Sequence, residues 1–144
     1  MTSPELERLV EIGKLHREPP NREEFEGLVE SAARRLGDAA NRELSLDSRF
    51  DLAYNAGHAL AQAALRWHGY RPTQRYVVFL ALAHTLSAPA ADWRLLAKCH
   101  EERNRIEYEG MPNLGERLVV DLIAVVERLL ARVRELPSIE APGG

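Results

Sequence analysis

The 144-residue chain has a single cysteine, Cys99. One thiol forms no internal disulfide and builds no thiolate metal site, so a disulfide scaffold and a zinc ribbon are both excluded. Cys99 itself reads as a small buried residue rather than a nucleophile. No apolar run approaches the ~18–20 residues of a membrane span. The start Met1-Thr2-Ser3-Pro4-Glu5 lacks the basic-then-apolar pattern of a secretory signal. Glycine-rich phosphate loops, a GxSxG elbow and an HExxH metal spacing are also missing, so neither a metal nor a cofactor is expected. These absences point to a soluble, cytoplasmic protein of one domain, long enough to bury a core without staples.

What is present is arginine: 17 of the 19 basic residues, against 22 acidic ones, for a net charge of −3. The planar guanidinium fork suits phosphate and carboxylate, although GC-rich coding enriches Arg and Ala as well. Residues 1–65 hold 8 basic and 12 acidic side chains, residues 66–105 hold 7 and 3, and residues 106–144 hold 4 and 7. A basic middle on an acidic chain is the footprint an anionic partner would use.

Apolar spacing predicts five or six helices in an all-α bundle. Thr2, with Glu5, caps a first helix in which Leu6, Leu9, Val10 and Leu15 keep helical spacing up to Pro19-Pro20. Asn21 and Glu24 box a second, running past Gly37 to about Glu43. Ser45–Ser48 open a long third, ending at His68 with Gly69 in the C′ position. Thr73 caps a fourth through Leu86, whose Tyr76–Leu80 stretch has strand-like composition but lacks a second strand to pair with. A fifth runs from Ser87-Ala88-Pro89 to Glu109, stopped by Gly110 and Pro112, and a sixth from Asn113 and Glu116 to Pro137. In domain terms, residues 1–20 form an N-terminal helix, 21–137 the bundle and 138–144 a disordered tail.

Two polar stripes stand out. On the third helix, Asp51, Asn55, His58 and Gln62, flanked by Tyr54 and Arg66, share one side opposite Leu52, Ala56, Ala59, Leu60, Ala63 and Trp67. Solvated faces usually carry Lys, Glu and Arg, whereas Asn, His and Gln make directional hydrogen bonds. The stripe is therefore either half-buried and satisfied by neighbouring helices, or a face that lines a ligand or an interface. On the fifth helix, His100, Asn104 and Tyr108 recur at intervals of four, with Arg103 beside them. Here the plainer reading is a solvated helix laced by Glu101–Arg105 and Arg103–Glu107 pairs. His16, His68 and His84 read as surface or boundary residues without evident partners.

The run from Asp51 to Leu65, followed by Gly69-Tyr-Arg-Pro72, resembles the long helix and following turn of HEPN-domain proteins. Arg103-Asn104-Arg105-Ile106-Glu107-Tyr108 resembles their signature, an Arg, a polar residue next and a His about five positions on. The resemblance spans roughly residues 25–134. It implies a helical bundle that forms a homodimer and brings two copies of the motif into one cleft. It also implies a metal-independent endoribonuclease, often of toxin–antitoxin type, or a non-catalytic RNA- or nucleotide-binding module. By carry-over, Arg103 would hold the scissile phosphate and Asn104 would orient the 2′-OH or the partner motif.

The family's His position holds Tyr108, a phenol with pKa near ~10 that is already protonated where an imidazole would accept a proton. His100, one turn earlier, lies outside the motif but is a substitute base. The expected catalytic set is thus Arg103, Asn104, Tyr108 and His100, and the expected binding set Asn55, His58, Gln62 and Arg66. The expected function is an HEPN-like RNA- or nucleotide-binding protein with weak or degenerate ribonuclease activity. The rival is a non-catalytic interaction subunit that partners a minimal nucleotidyltransferase, a toxin or an antitoxin. A lone bundle would leave the third-helix stripe facing water, and dimerisation would cover it.

Overall fold

The computed structural model describes residues 3–109 and 115–139, the side chains of 107–109 excepted. Its elements run α1 (Pro4–Glu11), β1 (Leu15–Arg17), α2 (Arg22–Ala39), α3 (Leu46–Trp67), β2 (Tyr70–Pro72), α4 (Val77–Leu80), α5 (Leu82–Thr85), α6 (Ala90–Glu109) and α7 (Glu116–Arg134). The fold is an all-α bundle with one small two-stranded ladder. No helix among the described residues is long and apolar enough to cross a membrane.

The centre is α3. Ala53, Ala56, Ala61, Ala63 and Ala64 are all fully buried, and small side chains let neighbouring helices approach on every side. A Cβ on Gly57 would lie 3.1 Å from both Leu96 of α6 and Val126 of α7, so the glycine sits where three helices meet. Val119, Leu122, Val126, Leu129 and Val133 repeat at three and four and give α7 its buried stripe. Capping follows the residue chemistry: Asn21 accepts from the Glu24 N–H at 2.9 Å and Ser45 from the Ser48 N–H at 3.2 Å. The α3 helix stops at His68 as expected, with Gly69 at φ 88.

Four expectations need correction. The first helix is capped by Ser3 and ends at Glu11, because Gly13 at φ 80 turns the chain and Leu15–Arg17 becomes a strand. That strand pairs antiparallel with Tyr70–Pro72, so a short ladder exists where only helix was expected. The second helix ends at Ala39 rather than near Glu43, with Arg49 Nε donating to the Ala39 carbonyl at 2.9 Å. The single helix expected from Thr73 to Leu86 is two four-residue helices, and the Thr73 hydroxyl instead donates to the Gly13 and Lys14 carbonyls. The Gly110, Pro112 and Asn113 signals lie outside the described residues.

Candidate anion-binding site

The ladder fixes where the polar residues go. Thr73 anchors the chain after β2 to the Gly13 turn, and the following segment folds back over α3. Phe79 then lies against the third-helix stripe from one side while His100 of α6 meets it from another, with Tyr76 packed on His100. Phe79 stands 5.8 Å from Tyr54 and 5.8 Å from His58, ring centre to ring centre, and Tyr76 stands 5.2 Å from His100. The two stripes thus meet within one protomer. Tyr54 is fully buried and His58 is 9% exposed, so the expectation of a stripe left facing water fails for these two. Asn55 and Gln62 are half-buried and Asp51 is exposed.

At the seam, the Tyr54 hydroxyl lies 2.9 Å from His100 Nδ1, and Asn104 Nδ2 lies 3.3 Å from His100 Nε2. With the Asn104 amide donating to Nε2, a neutral ring carries its proton on Nδ1 and donates it to the Tyr54 oxygen. Both ring nitrogens are engaged inside the protomer. For His100 to accept a proton from elsewhere, Asn104 must turn away from Nε2.

Two guanidiniums lie close to the ring of the same phenol. Arg103 Cζ lies 5.2 Å from the Tyr54 ring centre and Arg75 Cζ lies 5.8 Å from it, both within cation–π range. Arg75 donates to Asn55 Oδ1 at 3.4 Å, and Arg103 Nε lies 3.9 Å from the exposed carboxylate of Asp51. Burial raises the Tyr54 pKa, opposed by the hydrogen bond and charge of Arg75 and by the charge of Arg103. Burial, reinforced by the positive field of Arg75, His100 and Arg103, lowers the His58 pKa to about 4, so its ring is neutral at pH 7. His58 Nε2 is buried with no hydrogen-bond partner.

Arg66 does not join this cluster. Its side chain is 1% exposed, and its donors go to Glu24 Oε1 at 2.6 Å and to the carbonyls of Glu18, Pro19 and Tyr70. Arg71 lies beside it, 2.5 Å from Glu18 and 2.8 Å from Glu24. Burial opposes ionisation of Glu24, but hydrogen bonds from Arg66 and Arg71 outweigh it and lower its pKa; Arg71 likewise lowers that of Glu18. Part of the basic middle segment is therefore matched by acidic residues of the first 65 in a network that ties β2 and α3 to the start of α2. Arg105 pairs with Glu102 at 3.4 Å, not with Glu101. Glu107 and Tyr108 lie on the α6 backbone, with side chains outside those described.

His68 is no bare boundary residue, since its Nε2 lies 2.9 Å from the Thr85 carbonyl. Cys99 is buried, as expected of a small packed residue, and burial pushes its thiol up to about 12. Among the described residues, no three His, Cys, Asp or Glu side chains are placed to hold a metal ion. Arg75, Tyr76 and Phe79 were not singled out from the sequence. The available signal was the Gly69 reversal, which sends the chain back along the helix it has just left. No family model, curated protein or solved structure matches this chain.

Proposed function

We propose that the chain is an HEPN-like RNA- or nucleotide-binding protein in which Arg103 and Arg75 hold a phosphate. The observation that carries this reading is the pair of guanidiniums, from separate segments, set over one buried phenol that is hydrogen-bonded to His100. Arg75 is exposed and the Arg103 side chain is 26% exposed, so an anion can reach both guanidiniums. The Arg fork matches non-bridging phosphate oxygens. His58, neutral at pH 7, adds no third charge.

In the family's arrangement a homodimer sets two such seams facing one cleft, and cleavage is weak because Tyr108 takes the place of the base. Fluorescence anisotropy with a short single-stranded RNA at low salt tests the reading. Arg103→Ala is expected to weaken binding about tenfold or more, as loss of a charge-assisted pair does. Lys98→Ala, on an exposed position of the same helix, is expected to change it little. No binding, or binding indifferent to Arg103, favours the non-catalytic interaction subunit instead.

A further inference from the structure

A cleft of about 320 Å³ is lined by His58 and Gln62 of α3, by Arg71 and Pro72 of β2, and by Thr73, Gln74 and Arg75 after it. Its chemistry differs from that of the seam. Arg71 is matched by Glu18 and Glu24, and the Thr73 hydroxyl is held by the Gly13 and Lys14 carbonyls. What remains facing a ligand is neutral and directional: the Gln62 and Gln74 amides, a His58 ring held neutral, and Pro72. Gln74 Oε1 also accepts from Lys14 at a long 3.5 Å, a contact an entering group can displace. His58 Nε2 is a buried polar atom without a partner, an uncommon state in a folded protein. Arg75 adds a positive charge to the lining.

A ligand that fits is flat, uncharged, rich in both donors and acceptors, and joined to an anion. We infer that this cleft takes a single nucleobase, its edge read by Gln62 and Gln74 and its 5′-phosphate held by Arg75, on the side of the Tyr54 ring. Paired amides read base edges in this way, and a guanidinium plane is a stacking surface for an unpaired base. The volume is of small-ligand size. The inference rests on the phosphate-binding reading and deepens it: the seam supplies affinity and the cleft supplies base preference.

The test is a titration of the isotopically labelled full chain, followed by NMR, with AMP, GMP, CMP, UMP, ribose 5-phosphate and inorganic phosphate. The expected result is that the Gln62 and Gln74 side-chain amide signals move with one or two of the four nucleotides. Ribose 5-phosphate and phosphate are expected to move only the Arg75 and Arg103 signals. Gln62→Ala is expected to weaken the preferred nucleotide about three- to tenfold and to level the four, as loss of one or two hydrogen bonds does. Gln74→Ala, at an exposed position that the fold does not need, is expected to act in the same direction. Equal effects of all four nucleotides and ribose 5-phosphate would overturn the base cleft and leave phosphate binding standing. A base preference that survives both glutamine substitutions would overturn it too. No response to any of the six, together with no RNA binding, would overturn the phosphate-binding reading and the cleft with it.

Discussion

His58 shows how one side chain ties stability to pH. Its folded-state pKa of about 4 lies below its ordinary value of 6.5, so between these values the unfolded chain binds the proton and the folded chain does not. The stability that the neutral ring contributes is complete above pH 6.5 and is lost as pH falls toward 4, an effect of about 3 kcal/mol. Denaturant unfolding across that window is expected to show the slope, and His58→Phe to flatten it; an unchanged slope would place the titration elsewhere. The Glu18 and Glu24 carboxylates, both lowered, lose their contribution only further down, as pH falls below the ordinary carboxylate range. Arg66→Ala strips the buried network of its central cation and is expected to cost about 3 kcal/mol, the low end for a broken buried pair because Glu24 keeps contact with water. Chemical denaturation measures it. The spacing that set Arg66 beside His58 and Gln62 was sound as helical geometry, but it carried no information about Glu18 and Glu24, which arrive from the β1–α2 connection and from α2.

The long helices were legible because their signals are local. Asn21 and Ser45 cap where their side chains can reach an N–H three residues on, and the α7 stripe repeats at three and four. The ladder was not legible, because three residues each of Leu15–Arg17 and Tyr70–Pro72 gain strand geometry only by meeting across the fold. The same distant pairing breaks up the expected fourth helix: Thr73 is spent on the Gly13 turn and cannot cap. At the crossing of α3, α6 and α7, Gly57 leaves no room for a large side chain. Gly57→Leu is expected to destabilise the fold by about 2–3 kcal/mol through overpacking, despite a better helix propensity. A midpoint in urea equal to that of the parent protein would contradict the crossing.

At the level of the whole molecule, the polar residues of α3 were visible in the sequence, and so was the motif on α6. Their meeting was not, since it depends on α6 packing against α3 and on the fold-back after Gly69. Covering Tyr54 and His58 inside one protomer removes one reason to expect a dimer, and the proposed dimer now rests on the motif resemblance. Sedimentation at micromolar concentration is expected to show twice the 16.2 kDa chain mass; a monomer throughout would leave a one-protomer phosphate site. The central claim is that Arg103 and Arg75 neutralise phosphates, and the salt dependence of RNA affinity measures that most directly. For a single strand, each phosphate neutralised contributes about −0.7 to the slope of log K against log salt. Arg103→Ala and Arg75→Ala are each expected to reduce the slope by about one contact while Lys98→Ala leaves it in place. Slopes identical among the parent protein and all three variants would contradict the account.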